Sequence, residues 1–261
     1  MSNKTTYKQK AIVDHYRQEN ELQLPEKSIL QMLEKHLPKM KMLDIGVGGG
    51  RTTLHFANLA KEYLGVDYSE EMVTACKMRF PDAPENISFQ VCDATNMKAL
   101  NDNSYDFVLF SFNGIDSISH EDRDKAFREI KRIGKPGGYF CFSTHNLNSA
   151  EQLFNFKLQI NGPTYKKFKK TLKWAMLNFI YNNYHEIRTL NQSQFAILND
   201  GVHLFKIKNY YIRPLEQIRK LEEFFSDTQV YSLSTGEIIA NNDLEKNKDP
   251  WLYYICRFTK D

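Results

Sequence analysis

Between residues 40 and 146 short apolar runs alternate with longer stretches whose apolar positions recur every three or four residues. "MKMLDI", "YLGVD" (63–67), "ISFQVCD" (87–93), "YDFVLFSF" (105–112) and "GYFCFSTHN" (138–146) have the length and composition of strands. "RTTLHFANLAK", "SEEMVTACKMRF" and "HEDRDKAFREIKRI" (120–133) between them predict helices. Ser69 is placed to cap the second helix, with Glu70 and Glu71 in the first turn, where the helix dipole favours acids. Gly134 and Pro136 close the third. The fourth strand is almost entirely apolar, as a strand covered on both faces should be. Strands alternating with helices imply parallel βαβ units in a doubly wound sheet.

The alternation breaks from about 148 to 212, where the chain turns rich in Lys, Asn, Phe and Tyr. After it, "PLEQIRKLEEFF" (214–225) predicts a helix with Pro214 at its first position, followed by two strands, "TQVYSLS" and "WLYYICRFT". The pattern divides the chain into three: 1–147, an N-terminal helix and an α/β core; 148–212, a helical and aromatic insertion after the fifth strand, expected to form a lid over the substrate; and 213–261, a helix and hairpin that complete the sheet. The N-terminal helix is read over "TTYKQKAIVDHYRQ" (5–18).

The 261 residues suit one large domain carrying an insertion. A net charge of +3 is too weak to argue for nucleic acid. Cys76, Cys92, Cys141 and Cys256 are scattered, with no CxxC pair, which speaks against structural zinc and a disulfide framework. Neither a signal peptide nor a membrane span is legible, so a reducing cytoplasm is the expected setting.

The chemistry concentrates in "LDIGVGGGRTTL" (43–54), where the first strand runs into Gly46, Gly48, Gly49 and Gly50. Ligands of doubly wound sheets sit beyond the carboxyl ends of the strands, where this turn lies. Asp67, ending the second strand about 20 residues on, is where a carboxylate meets a ribose. A dinucleotide fingerprint would put its last glycine at Arg51, which disfavours NAD and its phosphate. Instead the loop reads Asp44-x-Gly46-x-Gly48-x-Gly50, and the third strand ends in "CDAT".

Taken in series, "LDIGVGGGRTT", "LGVDYSEEMV", "CDAT", "YDFVLFSFNGID" and "IKRIGKPGGYFCFS" resemble the motifs of the class I S-adenosylmethionine-dependent methyltransferases, in the family's order. The resemblance covers about residues 40 to 145 and implies a seven-stranded, mostly parallel Rossmann-like sheet with S-adenosylmethionine as cofactor. It implies that Gly46, Gly48 and Gly50 let the backbone meet the methionine part, while Asp44 orients its ammonium. Asp67 would bind the ribose hydroxyls, and Tyr68 would pack on the adenine. Asp93 would accept from the adenine amino group beside Ala94, and Ser111 and Phe112 would border the sulfonium. Tyr7 and Tyr16 either shield the sulfonium from water or pack their helix onto the core.

The acceptor has no signature of its own. Asn113, Asp116 and His145 stand at carboxyl ends of strands, and His203, Tyr210 and Tyr211 in the insertion. His145, His203 and Tyr211 are the candidates for catalytic contact. "SFNG" (111–114) lacks the two prolines and aromatic that the family uses on exocyclic base amines, and no Pro-Cys pair exists for cytosine C5. The basic run "YKKFKKTLKW" (165–174) reads as the solvated face of an amphipathic helix, or as a contact for RNA or an anionic surface. The expected function is methylation of O or N on a small-molecule acceptor, without metal, by a monomer or homodimer. The alternatives are an RNA or protein methyltransferase, or a cofactor-binding protein without activity.

Overall fold

Every apolar run from 41 to 146 becomes a strand of one twisted sheet. In the computed structural model, which describes residues 20–154, 164–201 and 208–259, these are β1 (Lys41–Ile45), β2 (Glu62–Asp67), β3 (Ile87–Val91), β4 (Tyr105–Phe110) and β5 (Gly134–Asn146). They pair in parallel in the order β3-β2-β1-β4-β5. β8 (Phe225–Ser232) and β9 (Trp251–Phe258) complete the far side, with β9 antiparallel to both β5 and β8. The chain winds outward from β1 to β3 and then crosses to β4. Strand order therefore reverses between β1 and β4, and the crevice for a ligand opens there.

Apart from Asp106 near its start, β4 is apolar and is covered on both faces. Val108 and Phe110 point into one core, with Ala126, Phe127 and Ile130 of α4 (His120–Ile133). Phe107 and Leu109 point into the other, with Ile29 and Leu33 of α1 (Leu24–Leu33), Phe56 of α2 (Thr53–Phe56), and Val73 and Cys76 of α3 (Glu70–Arg79). Ser69 caps α3 as expected, its Oγ accepting from the Met72 amide. The α1 helix was not expected. Gln23 precedes it, its amide donating to Glu26, with Pro25 in the first turn. The helix expected at 5–18, with Tyr7 and Tyr16, lies outside the described residues.

The insertion departs from the helical reading. It carries α5 (Leu147–Phe154), α6 (Thr164–Met176), a π-helical turn (Leu177–Tyr181) and α7 (Tyr184–Arg188). It also carries two strands, β6 (Phe195–Leu198) and β7 (Asn209–Ile212), and the helix α8 (Pro214–Leu221) follows. β7 pairs in parallel with His145 and Asn146 at the end of β5. Since β9 holds the opposite edge of His145, β7 occupies the edge that β4 vacates after Phe110. Among the described residues the sheet thus has nine strands: the expected seven, and two that carry it over the carboxyl end of β4.

Phe127 is the centre of one core, with the rings of Phe140, Phe142, Phe224 and Phe225 between 5.7 and 6.3 Å away. Phe127→Ala is expected to destabilise the protein by about 3–5 kcal/mol, as large-to-small changes in packed cores do. Denaturant unfolding with an unchanged midpoint would contradict this packing.

Candidate active site

Glycine is needed in the loop after β1 for its backbone. Gly46, Gly48 and Gly50 all have positive φ, which other residues rarely adopt. A Cβ on Gly48 would meet only the Gly46 carbonyl, at 3.9 Å, so the backbone there is bare toward open space. α3 braces the loop from behind. Cys76 Sγ donates to the Gly48 carbonyl and Arg79 to that of Gly49.

This loop is one wall of a cavity of about 770 Å³ at the carboxyl edge of the sheet. Asp44 and Asp67, which end β1 and β2, both line it and are both buried. Burial pushes the Asp44 carboxyl up to about 6, against hydrogen bonds from Thr52 and Tyr63. Asp67 is likewise raised to about 6 by burial, against the backbone amides of Ser69, Gly48 and Tyr68. Asp93 receives both the amide and the hydroxyl of Thr95 on Oδ1. A ligand with hydroxyl and ammonium donors fits this set: two dehydrated carboxylates, a bare glycine backbone and the apolar sides of Met72 and Phe110.

Arg51 crosses the floor. Its guanidinium forms a two-pronged pair with Glu26 of α1 at 2.5 and 2.6 Å, and also donates to Ser111 and to the Glu21 carbonyl. Ser111 and Tyr253 both donate to Glu26. Burial pulls the Glu26 carboxyl upward, but the hydrogen bonds and charge of Arg51 hold it below the usual carboxylate value. Phe112 lies against the guanidinium, its ring centre 5.0 Å away.

A second buried network stands beyond β4. Asp116 Oδ1 takes Arg123 and Thr144, and Oδ2 takes the His145 amide and stands 2.6 Å from His145 Nδ1. Arg123 also lies over the Tyr210 ring, 4.1 Å from its centre. Asp116 and Tyr210 line the cavity, as do Ile180, Tyr181, Ile197 and Asn199 of the insertion.

The structure brings Asp44, Gly46, Gly48, Asp67, Tyr68, Asp93, Ala94, Ser111 and Phe112 together on this one surface. Three other expected contacts do not reach it. Gly50 is a packing glycine, since a Cβ there would stand 2.5 Å from the Phe80 ring. His145 is held behind Asp116, between Tyr211 and Trp251. Tyr211 is buried in the small core of the insertion, donating to Asp200. His203, like Tyr7 and Tyr16, lies outside the described residues. Sequence reasoning missed Glu26, and it used Arg51 only to argue against a dinucleotide. A bulky cation where a fingerprint wants glycine was the available signal. Among the described residues no cluster of His, Cys, Asp and Glu could hold a metal, and no helix is long and apolar enough to cross a membrane.

The fold and this cavity define a Rossmann-like nucleoside-binding architecture of the methyltransferase type. Residues 43–142 match the family model described as a methyltransferase domain. The chain is 29% identical over 158 residues to the uncharacterized methyltransferase YcgJ of Bacillus subtilis, covering 58% of this chain and 60% of that one. It is 28% identical over 120 residues to the ubiquinone biosynthesis O-methyltransferase of Paraburkholderia phymatum, covering 46% of this chain and half of that one. The matches therefore span little more than half the length of these relatives. The S-adenosylmethionine-dependent methyltransferase structure from Mesorhizobium loti superposes with a TM-score of 0.59 at 16% identity, over 89% of this chain and 97% of that one. Residues 43–142 are thus a methyltransferase domain of the class I S-adenosylmethionine-dependent kind.

Two measurements check the site. Glu26→Ala strands a buried guanidinium and should destabilise by about 3–5 kcal/mol in chemical unfolding. Cofactor affinity should be flat above pH 7 and fall as pH drops through about 6. Protonating Asp44 and Asp67 would remove the negative charge and the strong acceptors that their expected roles toward an ammonium and ribose hydroxyls require. Calorimetry giving equal affinity at pH 5 and pH 8 would contradict these roles.

Proposed function

We propose that the protein transfers a methyl group from S-adenosylmethionine to an oxygen or nitrogen of a small organic molecule held under the insertion. The observation that carries this reading is the two-sided cavity. The family's motif residues line one side, and Ile180, Tyr181, Ile197 and Tyr210 the other. The cofactor supplies a methyl already activated on a sulfonium.

What falls to the chain is mainly alignment, which can supply several kcal/mol of barrier reduction. Asp67 holds the ribose hydroxyls, Asp44 the ammonium, and Asp93 with Ala94 the adenine edge. Ser111 and Phe112 border the reacting centre, where Arg51 fixes both. On the insertion side the wall is mostly apolar and aromatic, with Asn199 and Lys208 as polar groups. Such a wall suits a flat acceptor with one heteroatom. A relative named for O-methylation in ubiquinone biosynthesis supports an aromatic hydroxyl as the class to test first. Asp116 takes four hydrogen bonds from Arg123, Thr144 and His145 and is a positioning residue, and His145 acts only through it.

Asp67→Ala removes the ribose acceptor and should weaken cofactor binding by about 2–4 kcal/mol, since hydrogen bonds to charged groups contribute roughly 1.5–3 each. Gly48→Val, strained at positive φ and projecting into the open space, should abolish binding while the fold survives. Tyr210→Ala should leave cofactor affinity within about threefold and raise the acceptor KM. The decisive experiment incubates the protein with labelled cofactor and a panel of phenols, amines and metabolite extracts, with mass spectrometry of the products. If a folded Asp67→Ala variant binds the cofactor as tightly as the parent, the reading fails.

A further inference from the structure

The helix α6 and the π-helical turn after it leave their apolar face uncovered. The pair docks by its other side: Trp174 donates to the Phe154 carbonyl, and Leu177 and Asn178 are buried. Leu172 and Phe179, two turns apart and so on one face, are 51% and 58% exposed, and Ile180 is 70% exposed. Tyr184, itself exposed, stacks on Phe179 at 4.9 Å and widens the patch. Around it the sequence is wholly basic: lysines stand at 166, 167, 169, 170 and 173, and no Asp or Glu occurs from 164 to 185. Ile180 belongs both to this patch and to the cavity wall.

We infer that this face rests on an anionic lipid surface, so that the cavity opens toward the bilayer interface and takes an acceptor that partitions there. Apolar side chains that enter the headgroup region, beside lysines that meet anionic headgroups, are the two contributions that hold an amphipathic helix on a membrane. A second copy of the chain fits less well, because a two-fold contact would set one lysine-rich helix against its equivalent. RNA fits less well too, because Leu172 and Ile180 are aliphatic and give a base nothing to stack on, and the rings of Phe179 and Tyr184 already stack on each other. The inference rests on the proposed function only for what is methylated; docking itself stands on the patch.

The test is co-sedimentation of the full chain with phosphatidylcholine vesicles, with and without about 30% phosphatidylglycerol. Expected are binding at least roughly tenfold stronger to the anionic vesicles and a steep loss with added salt. Leu172→Asp with Phe179→Asp should reduce it by a further roughly tenfold, and Lys173→Glu more modestly. Circular dichroism and cofactor calorimetry on the same variants report folding and the cofactor site separately, so a failure of docking and a failure of the methyltransferase reading are distinguishable. No preference of the parent protein for anionic vesicles at low salt overturns the inference. So does an RNA affinity that exceeds vesicle binding, or a dimer in ultracentrifugation that the double substitution dissociates.

Discussion

The buried pair of Arg51 and Glu26 is the contact on which the cofactor side of the cavity depends. A guanidinium and a carboxylate out of water each carry a desolvation penalty of several kcal/mol, offset only when geometry is good and the remaining donors and acceptors are used. Here both carboxylate oxygens face the guanidinium, and Ser111, Tyr253 and the Glu21 carbonyl take much of what remains. The pair ties together α1, the end of the glycine loop, the end of β4 and β9. Three glycines at positive φ contribute no side chains to hold their own loop. It is held in front by Arg51, and behind by Cys76 and Arg79 on its carbonyls.

Asp116 and Arg123 do for the acceptor side what Glu26 and Arg51 do for the cofactor side, and the turn from Ser111 to Asp116 joins the two. Phe112 and Asn113, inside that turn, both sit in the left-handed region without being glycine. Such conformations cost about 1–3 kcal/mol each and persist only where the surroundings over-determine them. The surroundings are on hand: Phe112 lies between Arg51 and Trp251, the Asn113 amide donates to Ser143, and Asp116 is gripped by α4 and β5. The strained turn therefore faces the cavity at the point where cofactor and acceptor walls meet.

The α/β core was legible because each of its signals is local. Strand β4 shows its double burial as the apolar run from Phe107 to Phe110, α4 is bounded as its charged and apolar periodicity indicates, and the glycine spacing is written in consecutive residues. What the sequence left hidden depends on partners far away in the chain. Glu26 is one acid in an ordinary surface-looking segment until Arg51, 25 residues on, gives it a reason to be buried. His145 ends a strand where a catalytic base could stand, but whether it faces the cavity or the back of Asp116 turns on the hydrogen bonds of a residue 29 positions away. Tyr210 and Tyr211 differ only by the alternation of a strand: one reaches the cavity and the other the core of the insertion, a register that only the pairing of β7 with β5 decides.

The two walls of the cavity also differ in what holds them. Behind the glycine loop lie two cores of interlocked aromatic and aliphatic side chains on either face of the sheet. Behind the insertion lies a small cluster of Leu147, Ala150, Phe154, Leu177, Leu190, Leu198 and Tyr211. Much of the rest is polar: Arg213 alone reaches Asn148, Glu151 and the carbonyls of Leu190 and Ser193, and Asn182 exchanges hydrogen bonds with Asn199. Local opening follows the least-buried contacts, and here those belong to the acceptor wall. Lifting that wall breaks hydrogen bonds that water can replace, whereas lifting the cofactor wall would expose the sheet. Under the proposed function, such a division lets an acceptor enter and leave past Ile180 and Ile197 while Asp44, Asp67 and the glycine backbone stay in place for the cofactor.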